Sequence, residues 1–120
     1  MFETKFCKIE YLQKYNAVLC QWKQFCKGND YRNPFEYGLE LINEKNATLW
    51  ITDTTNGFEN EQEDTQWLLE NFFPKVLESS CSTIVFIIKK DSLLIDEINE
   101  QTKALSQFFN VVQIEKLEDL

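Results

Sequence analysis

The chain has 120 residues, 43% of them apolar and 14% aromatic, which suits one packed domain with its own core and argues against disorder. Twenty acidic against twelve basic residues leave a net charge of −8, which opposes binding to phosphate backbones or to anionic membrane surfaces. Histidine is absent, and this excludes Ser-His and Cys-His nucleophilic pairs, histidine acid–base chemistry and most zinc sites.

No run approaches the roughly 20 apolar residues of a membrane span. Met1–Lys5 lacks the basic and apolar regions of a signal peptide, so the expectation is a soluble cytoplasmic protein. Cys7, Cys20, Cys26 and Cys81 form no CxxC pair and read as buried reduced thiols.

Phe2–Leu12 alternates loosely and reads as a strand. Ala17–Phe25 alternates better, with Val18, Cys20 and Trp22 on one face and Leu19, Gln21 and Lys23 on the other. The two runs predict an antiparallel hairpin. Tyr31, Phe35, Gly38, Leu39 and Ile42 follow helical spacing, with Asn33-Pro34 as an N-cap and first helical residue and Asp30 as a rival cap. Gly38 in mid-helix costs about 1 kcal/mol relative to alanine, so its expected use is close packing.

Ala47–Asp53 is the next strand. Glu61–Leu77 predicts a long helix, kinked or divided at Pro74, with early acidic residues on the positive end of its dipole. Thr83–Ile88 is continuously apolar, as in a central parallel strand covered by helices. Asp91–Phe108 has helical spacing. Asn110–Glu115 is a short last strand with Val112 and Ile114 on one side, and Lys116–Leu120 a helical turn or frayed end. The expected architecture is therefore α/β: a mixed, mostly parallel sheet of about five strands, an N-terminal antiparallel hairpin and about three helices, in one domain spanning residues 1–120.

This order resembles the SpoIIAA-like fold of STAS domains. The chain is similar to small bacterial STAS-like proteins that carry a strand ending in Trp-x-x-Asp followed by an acidic helix with a Trp, an aromatic and a Pro. Here those are Trp50-Ile51-Thr52-Asp53 and Asp64-Thr65-Gln66-Trp67 through Phe72-Phe73-Pro74. The resemblance implies a non-enzymatic protein-interaction or regulatory domain with no cofactor and an unidentified protein partner, a homodimer being allowed. Anti-anti-sigma STAS proteins are phosphorylated within Asp-Ser-Ser-Gly. This chain has Asp53-Thr54-Thr55-Asn56-Gly57 in roughly that region and departs from the motif. Strand–helix order is similar in SEC14-type lipid carriers, so a small apolar-ligand or lipid-binding protein is the alternative.

Asp53, Thr54 and Thr55 are the first candidates for a ligand or switch site, against the plainer reading of an Asx or Thr turn. Lys89, at the carboxyl end of the apolar strand, lies on the ligand edge of a parallel sheet and could meet Asp53 there, against the plainer reading of solvated strand-end charges. Two enzyme readings fail here. A haloacid-dehalogenase-like phosphatase needs Asp-x-Asp, and position 55 is Thr. A response-regulator receiver needs an acidic pair after the first strand, where Gln13 and Lys14 stand. Glu59, Glu61, Glu63 and Asp64 lack the spacing of a calcium loop and read as a solvated helix start, with no metal site. Those four acids would repel a phosphate on Thr54 or Thr55, so phosphorylation is expected to push the loop outward. Trp22, Trp50 and Trp67 could line an apolar pocket or interface, against the plainer reading of core.

Overall fold

The computed structural model describes all 120 residues. Phe2–Glu3 (β1), Cys7–Leu12 (β2) and Ala17–Trp22 (β3) form an antiparallel meander. Then come Asn29–Lys45 (α1), Leu49–Asp53 (β4), Gln62–Trp67 (α2), a π-helical turn over Leu68–Phe72, and Phe73–Leu77 (α3). Thr83–Ile87 (β5), Ile95–Leu105 (α4) and Asn110–Ile114 (β6) complete the domain, with a 3₁₀ turn at Leu117–Asp119. The sheet order is β1-β2-β3-β4-β5-β6, and β3 to β6 are parallel. The α/β class, the opening hairpin and the largely parallel sheet match the expectation.

Six strands form rather than five because Thr4 interrupts the first run. Its Oγ1 accepts from the amides of Phe6 and Cys7, at 3.1 and 3.2 Å, and the local bonds replace ladder bonds. Helix α1 begins at Asn29, behind a Gly28 with φ of 62°, and not at Pro34. Proline is tolerated in the second turn because the carbonyl it leaves unpaired belongs to exposed Asp30. Asn46, in the left-handed region, closes the helix by donating to Ile42 O. The helical run α2 to α3 bulges ahead of Pro74: Phe73 N–H donates back to Leu68 O, a five-residue step. Helix α4 is shorter than its periodic pattern, because Lys89–Ser92 makes a turn closed by Ser92 N–H on Lys89 O at 3.0 Å.

Helices do not cover both faces of the apolar strand β5. Consecutive right-handed crossovers in a sheet ordered without reversal place α1 to α4 on one face. There Trp50, Phe35, Phe72, Ile84, Phe86 and Ile98 belong to the main core. On the other face Leu19, Ile51, Val85 and Ile87 are buried by strand neighbours and by Leu12, Tyr15 and Leu117 from the flanking turns. Gly38 of α1 lies flat on Trp50, where a Cβ would stand 2.4 Å from the indole Cζ3. The expected close approach of helix to sheet is therefore at this glycine.

Candidate functional site

Two loops leave the carboxyl edge of the parallel strands side by side, 54–61 after β4 and 88–94 after β5. Backbone chemistry fixes the first. Asp53 Oδ1 accepts from Thr55 N–H at 2.9 Å, which is an Asx turn. Thr54 directs both its N–H (3.0 Å) and its hydroxyl (2.7 Å) to Ile87 O, stitching the end of β4 to β5. Gly57 N–H closes the turn on Thr54 O at 2.9 Å. A Cβ at Gly57 would meet Thr54 O at 3.0 Å and Leu94 Cδ1 at 3.2 Å, so a side chain there would require the turn or Leu94 to give by a few tenths of an ångström.

Between the loops lies a cleft of about 460 Å³, lined by Thr54, Thr55, Glu59, Lys89, Asp91 and Ser92 among others. Of the sequence candidates, Thr54, Thr55 and Lys89 come together here. Asp53 does not join them: its pairing with Gln21 and Ile87 puts it on the helix-free face, where Gln21 Nε2 donates to its Oδ2 at 3.4 Å. Lys89 forms no ion pair with Asp53. Lys89 lies past the end of β5, where the chain turns away, and it is exposed and forms no ion pair. Thr54 is buried with its hydroxyl already donated, whereas Thr55 is exposed. Leu93 stands at the rim with its side chain wholly exposed (101%).

The tryptophans separate. Trp50 is fully buried core, and Trp67 packs on Phe35 and Phe72 beneath the Arg32 guanidinium. Trp22 lies behind the cleft, stacked on Tyr31 at 4.9 Å, with Phe58 edge-on at 5.5 Å. Phe58 closes over this cluster, and the gap left behind it is about 40 Å³, room for roughly one water.

No family model and no curated protein matches this chain. The chemistry of the edge therefore rests on its own residues. The sheet has no reversal of strand order, and so lacks the switch-point crevice at which doubly wound sheets bind ligands. Glu97, the only carboxylate beside the inner gap, is held above the usual glutamate range by burial, partly offset by the Asn60 N–H that donates to its Oε1 at 3.3 Å.

Sequence reasoning missed Asp64. It is 2% exposed and is no part of a solvated acidic run. Its carboxylate accepts from Arg32 Nε at 3.0 Å and from Gly28 N–H at 3.1 Å, which pins the start of α2 to the start of α1. Its partners lie 32 and 36 positions away, beyond any local pattern. Of the other three acids, all exposed, Glu59 lines the cleft, while Glu61 and Glu63 lie beside Lys27, Gly28 and Arg32. The four cysteines are free and buried, and no three His, Cys, Asp or Glu side chains converge closely enough to share a metal ion.

Proposed function

We propose that this chain is a STAS-like, non-enzymatic regulatory domain that binds a protein partner through the cleft between its 54–61 and 88–94 loops. The observation that carries the reading is Leu93: a large apolar side chain, wholly exposed, beside the unpaired Lys89 on a cleft whose walls are fixed by hydrogen bonds. Apolar area exposed at the rim of a preformed cleft is what a partner's surface would remove from water, and Lys89 beside it supplies a charge that would orient that partner. The mixed α/β sheet with its N-terminal hairpin supports the STAS-like assignment as architecture. With Phe58 closed over Trp22 and Tyr31, the gap of about 40 Å³ behind it accepts no acyl chain, which counts against an enclosed lipid site at this edge.

The test is affinity capture from the protein's own cells with wild type, Leu93→Asp and Lys89→Glu, followed by reconstitution from purified components. A partner that binds wild type and is weakened at least tenfold by either variant supports the assignment. Turnover on a broad substrate panel, abolished by Thr55→Ala or Lys89→Glu in the cleft, would overturn it. A lipid that co-purifies and is retained in native mass spectrometry would favour the carrier instead.

A further inference from the structure

The two edges of the sheet are finished differently. Strand β1 is two residues long and carries the Glu3–Lys23 ion pair at 2.6 Å, so it offers little to a foreign strand. Strand β6, Asn-Val-Val-Gln-Ile, has five residues and no charge, proline or glycine. Its central Val112 is 38% exposed, and Phe108, just before it, 63%. In a chain of net charge −8, an uncharged edge strand lacks the usual protection against pairing.

The hydrogen-bond phase of β6 tells which groups are free. Asn110 N–H donates to Ser82 O, and Ile88 N–H donates to Ile114 O, so the even-numbered residues face β5. By alternation, the amides and carbonyls of Val111 and Gln113 point outward. We infer that β6 pairs antiparallel with β6 of a second copy of this chain, about a two-fold axis at Val112. In that register Val111 and the partner's Gln113 exchange both of their backbone bonds, and the symmetric pair does the same. Val112 falls opposite itself at a non-hydrogen-bonded position, where side chains approach closest. Asn110 faces Ile114 of the partner subunit, and Glu115 faces the partner's Phe109, so no like charges are opposed. The axis is normal to the sheet and sets α4 beside the partner's α4, on the same face. Above the edge, Gln113 Nε2 donates to Asn99 Oδ1 and to Thr102 Oγ1, both at 2.9 Å, so the groups bonded to the strand's side chain are uncharged, while α4 also exposes Asp96, Glu100 and Lys103.

A second copy fits better than an unrelated peptide because the edge is self-complementary in register. The dimer goes beyond the partner-binding reading and does not depend on it, since β6 is not part of the Leu93 cleft.

Sedimentation equilibrium of wild type over roughly 1 μM to 1 mM should show a reversible dimer, in the range of weak and transient assemblies. It should tighten as salt rises, because screening relieves repulsion between two acidic chains. Val112→Cys should cross-link to twice 14.3 kDa on mild oxidation, with wild type, whose cysteines are all buried, as the uncross-linked control. Gln113→Pro removes an outward N–H and no bond to β5. It should weaken the dimer at least tenfold while circular dichroism stays native, and Val112→Lys should do the same by a different route. A strict monomer over the whole range overturns the inference. So does a dimer that survives both folded variants, which would place the contact elsewhere, such as the apolar groove of Leu69, Leu77 and Phe108.

Discussion

Gly38→Ala tests how closely α1 is seated on the sheet. Alanine in a helix interior gains about 1 kcal/mol over glycine, so on propensity alone the variant should be more stable. The packing opposes this. The new Cβ would stand 2.4 Å from Trp50 Cζ3 and 2.6 Å from Cη2, where carbon atoms settle about 3.5–4.0 Å apart. The indole cannot yield cheaply: it is fully buried, stacked on Phe35 at 5.6 Å, met by Phe72 at 5.1 Å, and bonded through Nε1 to Thr52 Oγ1 at 2.9 Å. Overpacking of this kind costs about 3 kcal/mol at the upper end of the usual range. Less the propensity gain, the net loss is about 2 kcal/mol, read as a lower urea midpoint at unchanged slope. Trp50→Phe removes the outer ring atoms, so in that background Gly38→Ala should be neutral or stabilising. The coupling in the double-mutant cycle should exceed about 1.5 kcal/mol. Equal effects of Gly38→Ala in both backgrounds, or a single variant as stable as wild type, would refute the argument.

Asp64→Ala leaves Arg32 and the Gly28 amide without their shared acceptor. Because Arg32 is one-third exposed, the loss should be about 2 kcal/mol in urea unfolding, below the 3–5 of a fully buried pair. Glu97 has a folded-state pKa raised first by burial, so its proton is held more tightly in the folded protein. That contribution to stability is full below the ordinary glutamate range and is lost as pH rises through the raised value. Glu97→Gln should therefore be more stable than wild type at pH 7, with the gain disappearing on acidification; a gain independent of pH would contradict this. Burial pushes the Cys26 thiol up to about 12 and Cys81 to about 11, and it raises Cys20 strongly. These three should resist alkylation in the folded protein and react together on unfolding. Cys7, lowered first by a hydrogen bond from Cys20, should also be silent because it is fully buried; mass spectrometry after a short iodoacetamide pulse reads each site.

The fold was legible wherever the signal was local and periodic. Alternation in Ala17–Trp22 assigned Val18 and Leu19 to opposite faces correctly, and the run Thr83–Ile88 marked a strand buried on both sides. Gly38 announced a close approach because nothing else justified a glycine in mid-helix. Legibility failed where long-range partners decide. Thr4 broke a strand with its own hydroxyl, and the start of α1 moved from Asn33-Pro34 to Asn29. Asp64 looked like one of four solvent acids until Arg32 and Gly28 stood beside it. At the site, Asp53 and Lys89 sit close in strand register, but the turn after β5 carries the lysine away. Leu93 gave no sequence signal at all, since one exposed leucine in a helical pattern looks like any core residue.

The sequential strand order also governs how the chain can fold. Every strand pairs only with its neighbours in sequence, so each parallel pairing waits for one crossover and never for a segment further along the chain. The β1–β3 meander can form first, and each later helix–strand unit docks on an edge already in place. Loop closure is thus spread over several moderate steps, and the three parallel pairings set a rate between those of helical bundles and all-β folds. Growth in this direction leaves β6 as the last strand added, so until it docks the edge of β5 is exposed to solvent. That is the step at which a slow-folding variant of this protein would aggregate.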